Sequence, residues 1–324
     1  MRDSLKKQCE LFAHNRQEIK SCYKWENPLI IAICASELCS RGIKIETEVL
    51  LKCKNILDAS VGVFSTFRGT AKLPIVSILA TKENPAIDMQ NTIEMFELLK
   101  LRFRNSDYLP LTAIKLNEMV SLDEADEYIN RGKEIYNLMK KEHPFLTSQE
   151  DGVFAVMLAF SKKDNEDLVA DMEKCYKELK KFSSDSNAMQ SLSHVLALCD
   201  DVEEKSARVI EFYATLRARG LKYSKSFEMA VLGSLAVAGL DMDTVISEIE
   251  EVDEFLSGLK GYGGLGIDKK SRLMHAIMLV LNDYSKNKVG NTAALTGTIT
   301  MIAAQNAAMC AVIASTVAAN ASHS

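Results

Sequence analysis

The chain has 324 residues, of which 47% are hydrophobic and 26% are charged, and its formal net charge is −5. This composition excludes an intrinsically disordered chain and allows a core of one large domain or two closely packed ones. An acidic balance without a clustered basic stretch argues against a nucleic-acid partner, because phosphate binding requires clustered Lys and Arg. Only five prolines and fifteen glycines occur. Few segments alternate with a period of two, so we expect an all-α protein without a significant β-sheet.

In the first part of the chain, amphipathic helices are predicted to alternate with almost uncharged ones. Apolar residues recur at steps of three and four in 4–22 and near 46–57, which is typical of a helix with one solvated face. Between them, a helix that Pro28 opens is nearly uncharged, and the segment 73–80 is again apolar throughout. The dipeptide Asn84–Pro85 then predicts a helix start, with asparagine as the cap and proline where its missing donor costs nothing.

Two further helix starts are predicted from capping boxes, in which two side chains satisfy backbone donors reciprocally. Ser121 and Glu124 have the required spacing before a helix at 122–141. Thr147 and Glu150 have the same spacing, so we expect another helix to begin near residue 148.

The central block 143–199 reads as three helices, an amphipathic one between two that are apolar nearly all round. Beyond it we expect helices that end at Gly220, span 229–238 and 244–259, and begin near Lys269. Amphipathic helices with one solvated face therefore alternate along the chain with apolar helices that we expect to be buried.

Residues 289–324 contain no Lys, Arg, Asp or Glu and are rich in alanine. We predict a C-terminal helix that packs through small side chains. A transmembrane span has sufficient length, but alanine is only marginally apolar and amide side chains interrupt the run. A frayed or self-associating tail is the third alternative. The expected organisation is one helical domain, 1–288, with a possible subdivision near residue 142, followed by the uncharged helix 289–324.

An internal repeat indicates how the helices are arranged. Residues 79–80 match 158–159, and buried helices recur at intervals of about 40 residues, as in helical repeat proteins. We therefore predict about fifteen helices in stacked αα-hairpins, forming either an open solenoid or a closed α/α ring.

The eight cysteines show no paired spacing, and several fall on predicted apolar faces. Reduced thiols acting as small core residues are the favoured interpretation, ahead of a disulfide framework or a zinc site. No signal peptide is evident behind the polar start, so we expect a cytoplasmic protein. The single tryptophan, Trp25, is predicted to be core.

The strongest candidate site is a pair of histidines in the central block. If His143 meets His194, the two could form an acid–base or metal site with Asp151, because imidazole titrates near neutrality and a carboxylate can orient it. Asn187 and Gln190 lie within two turns of His194. The alternative is a histidine bonded to a helix end plus a satisfied core histidine.

Three weaker patterns are present. Asp200, Asp201 and Glu204 fit the magnesium-binding pattern DDxxE, but acids in a first helical turn also favour the helix dipole. Arg68, in an aromatic turn, could bind a carboxylate or phosphate, or could close onto helix ends. The glycines of 261–266 fit GxGxxG but follow a predicted helix, so they indicate a loop.

Four motifs carry a family resemblance: FSTFRG at 64–69, HPFLTS at 143–148, KCYKEL at 174–179 and QSLSHVLAL at 190–198. Together with the alanine-rich tail, they resemble an uncharacterised bacterial family labelled only as a domain of unknown function. The resemblance covers most of the chain and implies a helical, cytoplasmic protein. It implies no activity and no catalytic residue.

The leading functional hypothesis is a non-enzymatic helical-repeat protein whose concave face binds a peptide or protein partner. The alternatives are an enzyme or small-ligand protein with its site near the two histidines, and peripheral membrane association through the tail. No cofactor or metal is predicted. We do not expect a membrane partner, and the C-terminal helix could support a homo-oligomer.

Overall fold

A computed structural model describes residues 1–263, 266–288, 306 and 308–313. Within these ranges the chain is helical, and an isolated bridge between Tyr262 and Ile267 is the only β-type pairing. The all-α class is therefore confirmed. The bounded α-helices are α1 (Asp3–Cys22), α2 (Pro28–Ser40), α3 (Thr47–Ser60), α4 (Lys72–Leu79), α5 (Pro85–Lys100), α6 (Leu109–Asn117), α7 (Leu122–Glu142), α8 (Asp151–Leu158), α9 (Asn165–Phe182), α10 (Ser186–Ala197), α11 (Val202–Ala218), α12 (Met229–Val237), α13 (Met242–Ser257) and α14 (Lys269–Lys288). A short 3₁₀ turn, Thr66–Arg68, lies between α3 and α4.

Local start signals determine several of these boundaries. The Asn84 side chain accepts a hydrogen bond from the backbone N–H of Ile87, and Pro85 is the first residue of α5. The Glu124 carboxylate accepts hydrogen bonds from the backbone N–H of Ser121, at 3.2 Å, and from its hydroxyl, at 2.8 Å. Both predicted starts are confirmed, because each signal satisfies a backbone donor that the first helical turn leaves unpaired.

The predicted start of the helix after residue 147 is wrong. α8 begins at Asp151, whose carboxylate accepts a hydrogen bond from the backbone N–H of Ser148 at 2.7 Å. The Thr147 hydroxyl donates to the backbone oxygen of Met139 at 3.2 Å and so does not cap α8. The expected capping box with Glu150 therefore does not form, since the backbone N–H of Thr147 donates instead to the backbone oxygen of His143 at 2.9 Å.

The chain forms two compact units. Among the described residues, one contains 14–166, and the other contains 1–13, 167–263, 266–288, 306 and 308–313. We call them the 14–166 unit and the 167–316 unit. Their boundaries fall inside α1 and α9. The predicted subdivision near residue 142 and the separate C-terminal helix remain predictions.

The helices of the 14–166 unit pack in two rows. The odd-numbered helices α3, α5 and α7 contact one another in chain order, and so do the even-numbered helices α2, α4, α6 and α8. Each odd helix also packs on the next even one, as α5 does on α6. Stacked αα-hairpins would pack in this way, but a recurring hairpin along the whole chain remains a prediction.

In the 167–316 unit, α10, α12 and α14 contact one another in order, and α11 packs against α13. The described tail residues 308–313 are helical and buried in this unit. This part of the tail is core, which suits a helix that packs through small side chains. Among the helices that can be described, none is both long and apolar enough to cross a membrane.

The even-numbered helices expose almost no surface. Every residue of α8 is buried, and α4, α6 and α12 each have a single residue that is not. A partner on a concave face would need an exposed side on such helices. In the 14–166 unit, α4, α6 and α8 offer none, so we look for a binding surface of this unit at the joints between helices or on the odd-numbered helices.

Two expectations about individual residue types can be compared with the structure. Trp25 is 99% exposed, so its predicted core position is wrong; it stands in the joint between α1 and α2, beside Lys24 and Glu26. All eight cysteines lie in the described ranges without a disulfide, and six of them are buried.

Candidate functional site

Four joints of the 14–166 unit connect an odd-numbered helix to the following even-numbered one. They comprise residues 23–27, 61–71, 101–108 and 143–150. Because α3, α5 and α7 pack side by side and each pairs with the next even-numbered helix, the last three of these joints are expected at one edge of the unit. The first joint is included with them because its Tyr23 ring lies against Lys54 of α3. We call this surface the aromatic edge.

Contacts between segments place neighbouring joints side by side. Gly69 lies against the next joint, since a methyl group at its Cα would be 3.8 Å from Asp107 Oδ1. Phe103 reaches the start of α8, directly after the last joint, since a methyl group at Gly152 would lie 3.2 Å from its ring. The aromatic edge is therefore continuous from residue 61 to the start of α8.

Three aromatic side chains protrude from this edge into solvent. Trp25 is 99% exposed, and Phe64 and Phe145 are both 100% exposed. The neighbouring Tyr23 is half-buried, with its ring 5.9 Å from Lys54 Nζ of α3. The first joint thus adjoins the second half of α3, and the three protruding side chains occupy three different joints.

The aromatic edge contains a cleft of about 90 Å³ between α6, α7 and α8. Segments from distant parts of the chain line it, so no short motif identifies it. Its lining residues are Phe103, Arg104, Ser106, Leu109, Thr112, Lys133, Tyr136, Gln149, Gly152 and Val153.

Lys133 is the half-buried cation of this cleft. Its Nζ lies 4.7 Å from the ring centroid of Tyr136 and 5.3 Å from that of Phe103. Burial, and then the charge of Lys140, lower the pKa of Lys133. Within the described part of the chain, no carboxylate pairs with Lys133 or with the exposed Arg104. The cleft therefore contains two cations without an acidic partner.

Asp151 lies at the start of α8, next to the lining residue Gly152, and is 6% exposed. Burial raises the pKa of Asp151 to about 7, although the hydrogen bond from Ser148 favours the charged form. After burial, the charge of Asp151 is the next cause that raises the pKa of Tyr136 in the cleft. Asp151 therefore changes its charge beside the cleft close to neutral pH.

The five residues of the predicted histidine site belong to different units. His143 follows α7 and donates its backbone N–H to Met139 O at 2.9 Å, in the same unit as Asp151. Gln190 and His194 are buried in α10 of the 167–316 unit, and Asn187 is exposed on that helix. A common site of these residues remains a prediction.

Arg68 closes onto the end of α3. Its Nη1 lies 3.0 Å from Asp58 Oδ1, and its Nη2 donates to the backbone oxygens of Asp58 and of Val61, the latter at 3.2 Å. This geometry supports the structural alternative, in which the guanidinium satisfies carbonyl groups at a helix C-terminus.

Asp200, Asp201 and Glu204 are exposed around the start of α11. Glu204 pairs with Lys205 at 3.2 Å. The residues that can be described contain no group of three or more side chains arranged to hold a metal ion. The three acids lie at the N-terminal end of the helix, where the helix dipole stabilises negative charge.

Sequence reasoning missed Arg104, Lys133, Tyr136 and Gln149. One signal was available, the alternation of apolar and basic residues in LRFR at 101–104. That signal gives no partner, because α7 and the joint after it bring the remaining side chains from later in the chain.

Comparison with known proteins adds a family but no activity. Residues 15–307 match the family described as "Protein of unknown function (DUF4003)". The chain is also similar to the "Uncharacterized protein YeaA" of Bacillus subtilis (strain 168), with 24% identity over 317 residues and 94% of each chain covered. No solved structure gives a significant match. The expected resemblance to an uncharacterised bacterial family is confirmed.

Proposed function

Because this chain belongs to the bacterial DUF4003 family of unknown function, we propose a function from its own residues. It is a non-catalytic binding protein whose aromatic edge recognises an anionic oxygen group, a carboxylate or a phosphate, on a larger partner. The observation that carries this proposal is the cleft with two cations, Lys133 and Arg104, that have no acidic partner.

The energetics of Lys133 favour an incoming anion. Partial burial disfavours its charged form, and no carboxylate compensates for this cost. An anion in the cleft would supply that compensation and could accept further hydrogen bonds from Arg104, whose guanidinium matches carboxylate and phosphate geometry.

The size of the cleft limits what enters it. A volume of about 90 Å³ is well below the roughly 300–1,000 Å³ of clefts that enclose whole small-molecule ligands. Such a space accommodates one carboxylate or phosphate group and excludes most whole metabolites. The anionic group is therefore the end of a larger molecule that also contacts the surface around the cleft.

This proposal keeps the binding role that the repeat pattern suggested and changes its location. The even-numbered helices α4, α6 and α8 have no open face, whereas the joints that form the aromatic edge are exposed. A peptide with acidic or phosphorylated side chains and a lipid headgroup both present the required group.

Isothermal titration calorimetry of the full chain tests the proposal with inorganic phosphate, acetate and a short poly-glutamate peptide. We expect binding of phosphate and of the peptide. Both Lys133→Gln and Arg104→Gln should weaken it by about tenfold or more, since each removes a charge-assisted hydrogen bond.

Lys162→Gln provides the matched control, because Lys162 is an exposed lysine of the same unit in the joint between α8 and α9, away from the cleft. It should leave the affinity unchanged. Equal losses in the control and in Lys133→Gln would indicate a general charge effect and would refute the cleft as the site.

A further inference from the structure

Three fully exposed aromatic side chains on one edge need an explanation. All twelve phenylalanines lie in the described ranges, and every one except Phe64 and Phe145 is buried or half-buried. Trp25, the only tryptophan, is exposed to the same degree. Single exposed apolar residues are ordinary, but three protruding aromatics along one edge mark an interaction surface.

The surroundings of these side chains are more basic than the whole chain. Lys24 is exposed beside Trp25. Asp58, the acid nearest to Phe64 in the sequence, lies in the last turn of α3 and is paired with Arg68 and with Lys72. The cleft, the last two joints and the residues that flank them carry six cations against five acids, on a chain of net charge −5. The cations are Lys100, Arg102, Arg104, Lys133, Lys140 and Lys141, and the acids are Glu97, Asp107, Glu142, Glu150 and Asp151. Glu97 is paired with Lys100, and burial raises the pKa of Asp151 to about 7.

The separation of the aromatics favours a flat partner. Aromatic anchors of a protein interface cluster at its centre and fill pockets of the partner. Here the three side chains occupy three joints, and none of them lines the cleft. A bilayer can accept separate protruding rings at once, with tryptophan and phenylalanine at headgroup depth and basic side chains on the phosphates.

We infer that the aromatic edge of the 14–166 unit docks on an anionic lipid surface. Trp25, Phe64 and Phe145 enter the interfacial layer, and the cleft binds a phosphate of a lipid headgroup. The headgroup step rests on the proposed function, whereas insertion of the aromatics does not. Membrane binding through the tail plays no part in this inference, because residues 308–313 are buried.

The single tryptophan makes the test direct. Full-length protein is mixed with vesicles of phosphatidylcholine alone or with phosphatidylglycerol added, and Trp25 fluorescence is recorded with co-sedimentation. With anionic vesicles we expect a blue shift of the emission, quenching by brominated acyl chains and co-sedimentation that weakens as salt increases. Pure phosphatidylcholine should bind much less.

Variants connect the signal to the aromatic edge. Phe64→Ser and Phe145→Ser should each weaken vesicle binding by about tenfold, because each ring loses its burial in the interface. Ile87→Ser is the matched control, since Ile87 is 57% exposed near the start of α5 rather than on a joint of the aromatic edge. It should bind vesicles like the wild type.

The outcomes separate this inference from the proposed function. Unchanged Trp25 emission at saturating anionic vesicles overturns the inference, as does full binding by a Phe64→Ser, Phe145→Ser double variant. If poly-glutamate shifts the Trp25 emission and vesicles do not, the edge binds a protein and the lipid inference fails. Vesicle binding that persists in Lys133→Gln, with no phosphate binding by calorimetry, would leave the docking intact and refute the cleft.

Discussion

At one edge of the 14–166 unit Lys115 is buried between two carboxylates, whereas at the aromatic edge Lys133 lies against two rings without a carboxylate. The first surface, which we call the ion-pair edge, lies where even-numbered helices end and comprises Glu37, Arg41, Lys82, Lys115 and Glu118. Lys115 is 1% exposed, and its Nζ is 2.9 Å from Glu37 Oε1.

Every charge of the ion-pair edge has a partner of opposite sign. Arg41 Nη1 lies 2.7 Å from Glu118 Oε1, and Lys82 Nζ lies 3.0 Å from the same oxygen. Burial favours the neutral form of Glu37, but the charges of Lys115 and Arg41 outweigh it and lower the pKa of Glu37 to about 2. The comparison teaches that the ion-pair edge uses its cations to join helices, whereas the aromatic edge leaves Lys133 and Arg104 without a carboxylate.

The largest expected effect is the difference in stability between a variant of Lys115 and a variant of Lys133. Lys115→Met is expected to lower the free energy of unfolding by about 3–5 kcal/mol, because it removes the buried cation between Glu37 and Glu118 and leaves only the more exposed Arg41 and Lys82 to pair with them. Lys133→Met should change it by less than about 1 kcal/mol, since only contacts with two rings are lost. Urea unfolding of both variants measures the difference.

Equal destabilisation by the two substitutions would contradict the comparison. In that case Lys133 would hold the fold together in the same way as Lys115. Anion binding by the cleft would then not follow from an unpaired cation.

The carboxyl groups near the two edges should make the stability of the fold depend on pH in opposite directions. The pKa of Asp151, about 7, lies above the ordinary 3.8, so the folded state binds more protons than the unfolded state between these values. Stability therefore falls as pH rises through this window and stays low above it. Asp151→Asn should remove this loss of stability, so at pH near 8 the free energy of unfolding of the variant should exceed that of the wild type by about 2 kcal/mol.

Glu37 should produce the opposite pH dependence, a loss of stability at acid pH. Its pKa of about 2 lies below the ordinary 4.5, so its contribution is complete above pH 4.5 and is lost as pH falls towards 2. Glu37→Gln should flatten this acid limb and leave the window between 4 and 7 unchanged. Unfolding free energies of both variants measured from acid to mild alkali would show whether each limb belongs to its residue.

The sequence predicted the parts of this fold that depend on neighbours in the chain. Asn84 with Pro85, and Ser121 with Glu124, place helix starts by local hydrogen bonds, and both were found. The start of α8 was missed because the backbone N–H of Thr147, which the predicted capping box requires, donates to the backbone oxygen of His143. The residue spacing of a capping box does not show whether its backbone donor already has a partner.

The candidate site depended on contacts that the sequence does not specify. Trp25 was expected in the core because large aromatic residues are usually buried, but it stands in a short polar joint that no helix covers. The cleft joins Arg104, Lys133 and Gln149 across more than forty residues. Only the packing of α6, α7 and α8 brings them together.

The smallest effect is expected for the aromatic edge itself. A triple variant with Trp25→Ser, Phe64→Ser and Phe145→Ser should unfold within about 0.5 kcal/mol of wild type, because these side chains bury almost nothing. Phe67→Ala, three residues from Phe64, is the contrast. The Phe67 ring is buried, with its centroid 4.9 Å from that of Phe96, so this substitution should lower the free energy of unfolding by about 3–5 kcal/mol. Chemical denaturation distinguishes the two. A large loss in the triple variant would mean that the three rings support the fold, and their exposure would no longer indicate a partner.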